Sequence, residues 1–277
     1  MAPAIALGPG WDAAFERIAG DVVLVVGAAD TGKTHLARLL LARLAGRGGR
    51  PALLGTDVGQ PPIGAPACLA VAVDPPWERA TASWFVGAVT PARHLLPIVG
   101  GGVALAQVAR EAGADALVVD TDGLVAGGFG RAFRYHQALA LGATDVVVLE
   151  RGGEMAALRA LLARPDRTIH RVRPADAAHA RSRETRRAFR EERFAAHLAG
   201  GRTVALRRAR LLGPEWTPDA PAAEAPPGTL VGLLDASHLC LGLGVVLDAR
   251  PDALVVHTPC AALDRVAWVR LGDVRLP

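Results

Sequence analysis

The sequence predicts an α/β fold: a mostly parallel sheet covered by helices on both faces. Three observations carry this reading. Strands are apolar at every position, amphipathic helical stretches alternate with them, and a glycine-bounded turn joins the first strand to the first helix. VVLVV (22–26) is a β-branched run ending in glycine, and HLARLLLARLAG (35–46) follows with Leu36, Leu40 and Leu44 on one face and a glycine stop. ALLGT (52–56), ALVVDT (116–121), DVVVLE (145–150) and TIHRV (168–172) read as further strands. VALAQVAREAGA (103–114), AFRYHQALALGA (132–143) and EMAALRALLAR (154–164) read as helices. Near residue 200 the helical pattern fades. RTVALRRARL, GTLVGLLDAS, LGLGVVLDA, DALVVHTP and VAWVRLGDVRLP are short strand patterns bounded by Gly, Pro and Asp, with a Pro/Ala-rich loop at 213–228. The expected organisation is one α/β domain over residues 1–200 and a small β-rich C-terminal domain over 201–277.

Composition narrows the setting. No apolar run reaches the roughly eighteen uncharged residues that a membrane helix needs, and the N-terminus lacks the basic region of a signal peptide. Cys68, Cys240 and Cys260 are far apart in sequence. That sparse, odd set indicates a reducing, cytoplasmic compartment and three small buried residues, with neither zinc nor a disulfide framework. Charge is segregated: residues 151–210 hold sixteen arginines and six acids, a balance of +10, while the rest of the chain sums to −6. A basic segment on an acidic body is expected to meet something anionic.

Lys33 is the sole lysine among 31 basic residues. It sits in Gly27-Ala28-Ala29-Asp30-Thr31-Gly32-Lys33-Thr34, which fits G-x-x-x-x-G-K-[ST] directly after a strand and opening a helix. Glycines at both ends let the backbone turn its N–H groups toward a phosphate, and the helix N-terminus adds partial positive charge. Lys33 reaches the outer phosphates and the Thr34 hydroxyl is a magnesium ligand. The chain therefore reads as a P-loop NTPase. The guanine-reading N-K-x-D pattern needs a second lysine, so ATP with Mg2+ is the expected cofactor pair. His35, just inside the helix, is placed on the nucleotide side.

Phosphoryl transfer also needs carboxylates at the acceptor and near the metal. Asp57 and Asp120 close strands on the cradle side of the sheet, where parallel α/β folds carry their sites. Each, and more so Asp122, also reads as a cap or turn residue. Gln60 offers an amide beside Asp57. Arg183, Arg186, Arg187 and Arg190 follow three–four spacing and so share a helix face; interspersed Glu184, Glu191 and Glu192 fit a solvated, salt-bridged helix equally well.

GAADTGKT, TDVGQPPIGAPACLAV, FVGAVTPARHLLP, VVDTDGLVAGGFG and RSRETRRAFREERF, in this order, resemble the polynucleotide 5′-hydroxyl kinases. That group includes the kinase subunit of eukaryotic pre-mRNA cleavage factor, rRNA-processing kinases and shorter archaeal and bacterial relatives. The resemblance implies transfer of the ATP γ-phosphate to the 5′-hydroxyl end of RNA or DNA. Asp57 would be the general base and a metal neighbour with Thr34 and Asp120. Gln60 would help hold the acceptor or the metal's water shell, and Thr121 and Gly123, with Asp122 between them, would clasp the substrate or the γ-phosphate. The arginine-rich stretch would be a lid in which Arg186 and Arg190 act on the phosphates, beside Arg183 and Arg187. Three positions depart from the family pattern. Gly55 stands where a second acid is frequent. Leu124 stands where many members carry a stacking tryptophan, leaving Trp77 or Trp84 to stack from elsewhere. Only about twenty residues precede the cradle strand, where large members carry a β domain. Two other readings stay open at this level: an ATP-binding scaffold of RNA processing without turnover, and a kinase of a small molecule.

Overall fold

A computed structural model describes residues 10–175, 181–207, 210–213, 216–219, 225–250 and 253–276. The chain runs α1 (Trp11–Arg17), β1 (Val22–Gly27), α2 (Lys33–Gly46), β2 (Pro51–Gly55), β3 (Cys68–Ala72), β4 (Ala82–Phe85), α3 (Leu95–Glu111), β5 (Ala116–Asp120), α4 (Gly127–Ala140), β6 (Asp145–Leu149), α5 (Ala156–Leu162), β7 (Thr168–Val172) and α6 (Arg183–Leu198). It continues as β8 (Arg202–Leu206), β9 (Arg210–Leu212), β10 (Thr229–Leu234), β11 (Cys240–Arg250), β12 (Ala253–Thr258) and β13 (Trp268–Arg275).

The first sheet has the order β4-β3-β2-β5-β1-β6-β7. Its five strands from β2 to β7 are parallel. β1, β2 and β6 are buried along their whole length, which only strands roofed on both faces can be. One face is covered by α3, α4 and α5 through residues such as Ile98, Leu105, Phe133 and Leu158. The other face is covered by α1 and α2 through Trp11, Phe15, Leu36, Leu40 and Leu41. Asp120 lies opposite Val25 of β1 and Gly55 of β2, so the carboxyl ends of three central strands meet at one edge of the sheet.

Three features depart from the sequence reading. α1 was not expected, and its Trp11 is completely buried with its indole N–H donating to Arg173 O at 2.6 Å. β3 and β4 extend the sheet antiparallel beyond β2; both are short, and neither is preceded by the helix that marks a parallel crossover. α3 begins eight residues before the stretch expected from 103, at Leu95. Its Gly100-Gly101-Gly102 triplet lowers helix propensity and hid the first turns. Packing explains the middle glycine, since a Cβ on Gly101 would stand 2.3 Å from the Trp84 ring.

The second sheet, β8-β12-β11-β10-β13-β9, is antiparallel except for the β13–β9 pair. It docks on the antiparallel edge of the first. Phe85, Cys68, Ala65 and Ala67 share one buried cluster with Leu230, Leu234, Leu243 and Phe194 of α6. The joint is also hydrogen-bonded: Arg270 donates to Phe85 O at 2.7 Å and the Asp273 N–H donates to Gly87 O at 2.8 Å. Here the cysteines, remote in sequence, draw together. Cys68 and Cys240 meet in this cluster, and that proximity together with burial holds Cys68 well above the ordinary thiol range. All three are free thiols, and Cys240 is half-exposed where full burial was expected. Parts of the Pro/Ala-rich loop, 214–215 and 220–224, lie outside the described residues. No helix of the described residues is long and apolar enough to cross a membrane.

Gly101 gives a test with opposed signs. Propensity alone says that Gly101→Ala stabilises α3 by about 0.5–1 kcal/mol. Overpacking against Trp84 is expected to win, with a net loss of about 1–2 kcal/mol in denaturant unfolding. An increase in stability would show that Trp84 yields freely.

Candidate active site

The loop from Gly27 to Thr34 leaves β1 and enters α2 with two residues in left-handed backbone, Asp30 at φ 57° and Gly32 at φ 88°. Glycine adopts this freely; aspartate does so at a cost that its partners must meet. The Asp30 carboxylate accepts from the Arg181 N–H at 2.9 Å, from Arg181 Nε at 3.1 Å and from Arg186 at 2.5 Å. Burial pulls Asp30 upward, but these donors outweigh it and leave the group below the usual carboxylate range. The start of the arginine-rich helix is thereby tied to the phosphate loop.

Thr31 closes the loop by donating to Ala28 O at 2.9 Å. Lys33 Nζ donates to the same carbonyl at 2.7 Å, is 7% exposed, and has its value lowered chiefly by burial, against the pull of Asp120 and Asp57. The Thr34 hydroxyl donates to Asp120 Oδ2 at 2.6 Å, while Asp120 Oδ1 is buried without a partner. Burial raises Asp120 to about 6, opposed by the Thr34 hydrogen bond and the Lys33 charge. Asp57 follows β2. Its Oδ1 caps the turn by accepting from the Gly59 and Gln60 N–H groups at 2.9 and 2.8 Å. Burial raises Asp57 as well, assisted by the nearby Asp122 charge. Lys33, Asp57, Gln60, Gly123, Arg186 and Arg190 all line one cavity of about 590 Å³. The Gln60 amide nitrogen is buried there without a partner.

The segment after β5 packs directly on the phosphate loop, because a Cβ on Gly123 would stand 2.6 Å from Ala29 N. Its neighbours Thr121 and Asp122 line the same cavity, and their side chains are also engaged within the fold. The Thr121 hydroxyl is spent on Val25 O at 2.8 Å, so this residue offers only backbone to the cavity. Asp122 is 4% exposed and pairs with the fully buried guanidinium of Arg134, while its Oδ1 also accepts from Leu124 N–H at 2.6 Å. That carboxylate pins the segment to α4. Arg134 continues to Gln137, whose amide donates to the Thr56 hydroxyl at 3.1 Å. Nothing in the sequence singled out Arg134; a helical arginine is normally solvated, and only its fully buried position reveals the pairing.

The four lid arginines do not share a face. Arg186 and Arg190 line the cavity, whereas Arg187 is 77% exposed in an ion pair with Glu191 and Arg183 faces solvent. One side of α6 thus lines the cavity and the other is a solvated, salt-bridged face. Its hydroxyl-capped start is fixed by Ser182, which accepts from Thr185 N–H at 3.1 Å, and Phe194 anchors its far end in the inter-sheet cluster. His35 lines the cavity with its ring 5.9 Å from Trp11; burial lowers its value, and Nε2 has no partner. Trp77 donates to Pro51 O at 2.9 Å in the core and Trp84 packs under α3, so neither reaches the cavity to stack.

Residues 27–200 match the family model described as mRNA cleavage and polyadenylation factor CLP1 P-loop. The chain belongs to this family. Curated relatives include the polyribonucleotide 5′-hydroxyl-kinase of Pyrococcus abyssi, 26% identical across 92% of this chain and 87% of the relative. The enzyme of the same name from Thermococcus kodakarensis is 24% identical across 92% and 88%. Among solved structures, the wild-type Clp1p–Pcf11p complex superposes with a TM-score of 0.71 over 94% of this chain and 75% of that one, at 15% identity, a likeness of fold.

Within this CLP1-family site, hard oxygens dominate: the Thr34 hydroxyl, the orphaned Asp120 Oδ1 and the Asp57 carboxylate. Such a set suits a cation that keeps several of its waters. The buried charge of Asp120 carries a cost that can be measured. Its folded value, about 6, lies above the ordinary 3.8, so its protonated form is the stabilised one. The penalty is absent below about pH 4 and complete above about pH 6, where it amounts to about 3 kcal/mol. In nucleotide-free protein, Asp120→Asn is therefore expected to raise the unfolding midpoint at pH 8 by roughly 5 °C. The gain should vanish near pH 4, as read by thermal denaturation across pH.

Proposed function

We propose that this chain is an ATP-dependent polyribonucleotide 5′-hydroxyl kinase. The observation that carries it is that one cavity is lined both by a phosphate cradle bearing Lys33 and by a carboxylate, Asp57, whose proton affinity is raised by burial. In this reading residues 1–200 perform the transfer, and the division from residues 201–277 falls between α6 and β8.

The backbone N–H groups of the cradle and Lys33 hold the β- and γ-phosphates of ATP. Asp57 accepts the proton of the incoming 5′-hydroxyl as the oxygen forms its bond to the γ-phosphorus and the bond to the β-phosphate oxygen breaks, releasing ADP. Burial, which raises the Asp57 carboxyl above its ordinary value, makes it a better proton acceptor than a solvated carboxylate. Gln60 supplies an unpartnered amide donor beside that acceptor. Arg186, tied to Asp30, and Arg190 both line the cavity and stabilise charge on the phosphoryl group during transfer. Mg2+, when bound with the nucleotide, would neutralise phosphate charge from the side of Thr34 and Asp120. Leu124 and Gly123 leave the acceptor's entrance without an aromatic at that point.

The direct test is transfer of labelled γ-phosphate from ATP to 5′-hydroxyl oligoribonucleotides. Lys33→Ala and Asp57→Asn are each expected to lower kcat by about 1000-fold or more, and Arg186→Ala by about 100-fold or more. Arg183→Ala and Arg187→Ala should stay within a few-fold of wild type. Tight ATP binding by wild type without transfer to RNA or DNA of any kind would replace the kinase reading with that of a scaffold. The acid limb of the wild-type pH profile should lie above the ordinary carboxylate range, as the raised Asp57 requires.

A further inference from the structure

The wall of the active-site cavity does not end there. Val89, Thr90, Pro91 and Ala92 line it, and the next five residues, Arg93 to Pro97, line a second cavity of about 480 Å³. Nine consecutive residues thus form one continuous edge from the cradle to the joint between the two sheets. The far side of the second cavity comes from the β-rich part of the chain, through Trp216, Arg270 and Asp273. Three large apolar side chains are left unusually open around it: Trp216 is 45% exposed, Phe129 52% and Leu96 86%.

Trp216 is the best placed of the three. Its turn is closed by the Trp216 N–H to Gly213 O at 3.0 Å and the Gly213 N–H to Thr217 O at 3.0 Å. The Arg270 guanidinium lies 3.8 Å from the ring centroid on one side, locked by its bond to Phe85 O. Arg270 is nearly buried yet remains cationic, its value lowered by burial only to about 10. A rigid indole with a fixed cation behind it and an open side is a stacking platform rather than a core residue. Arg93, exposed at the mouth with φ 69°, adds a second positive group. The one carboxylate present, Asp273, is engaged by His94 Nε2 at 3.0 Å.

We propose that this groove holds the downstream nucleotides of the 5′-hydroxyl strand, with a base stacked on Trp216 and the backbone passing Arg93. The inference rests on the kinase reading for the identity of the strand; its site and its chemistry rest on the groove alone. A hydrophobic peptide would leave the two arginines unmatched, whereas a single strand uses both π-faces and cations. Residues 201–277 would then extend the substrate surface as well as cover the sheet edge.

The experiment compares 5′-hydroxyl oligouridylates of two and ten nucleotides. In wild type the decamer should have the lower KM. Trp216→Ala should raise the decamer KM roughly tenfold with kcat preserved, and leave the dinucleotide KM within about twofold. Trp216→Phe, which keeps a stacking face, should recover most of the loss, and a folded but merely loosened joint would not produce that length dependence. Binding of a 3′-labelled decamer, followed by anisotropy without ATP, should weaken by the same factor. Equal effects at both lengths, or no length advantage in wild type, overturn the groove assignment. Anisotropy that depends on Trp216 in a protein that transfers no phosphate would sink the kinase reading and leave the strand groove standing.

Discussion

A single ammonium among carboxylates governs the arrangement of this molecule. Lys33 is buried at the edge where β1, β2 and β5 end, and Asp57, Asp120 and Asp122 all act on its charge. Three carboxylates against one ammonium would be intolerable in a dry site. The fold resolves this by removing one and moderating the others. Asp122 is given its own cation, Arg134, drawn in from α4 and fully buried. Asp120 is held by the Thr34 hydroxyl and pushed up to about 6, close to neutrality, and Asp57 by two backbone N–H groups. What is left around Lys33 is a set of charges balanced only loosely. Arg134 thus bears on the cradle through its pair with Asp122 and through its own charge near Lys33.

The arginine-rich helix α6 is coupled to the cradle by the same economy. Asp30 occupies a left-handed position that a glycine would fill with less strain, and its carboxylate is what makes the choice useful. By holding Arg181 and Arg186 it sets the near end of α6, while Phe194 sets the far end against the second sheet. A helix fixed at both ends presents only one of its stripes inward. That is why Arg186 and Arg190 line the cavity and Arg183 and Arg187 remain in solvent with Glu191. Three–four spacing spans a wide arc, and the anchors decide which half of it is used.

The parallel strands and the cradle were legible because each carries a strong local signal: full apolarity in VVLVV and DVVVL, and the one lysine between glycine and threonine. Lys33 and Thr34 were placed by that motif, and Asp57 and Asp120 by strand ends, since parallel sheets put their carboxyl ends on one side. The remaining features are relations between distant segments and leave no local mark. CLAVA and ASWF are apolar and short like any buried segment, and only their pairing makes them antiparallel edge strands. Arg134 looks like a surface helix residue until Asp122 is found against it. The cysteines looked isolated because 172 residues of sequence separate Cys68 from Cys240, which the joint between sheets brings together. Trp216 lay in a Pro/Ala-rich stretch that reads as linker, and its significance depends on Arg270, far along the chain.

These relations also explain what the antiparallel extension accomplishes. A P-loop sheet that stopped at β2 would offer the cradle one wall and an open flank. β3 and β4 widen the sheet past the cradle, and Phe85 on β4 becomes the seat on which the second sheet docks. The connection from β4 into α3, residues 86–94, then runs beside both sheets, and its later part with the first turn of α3 lines the two cavities. An edge shared by an active site and an aromatic groove is therefore a topological consequence of docking the β-rich unit on β4 and not on β7. Had the second sheet packed beside β7, it would stand on the far flank of the sheet from that connection, and the catalytic cavity would face solvent without a second wall to lead a chain away.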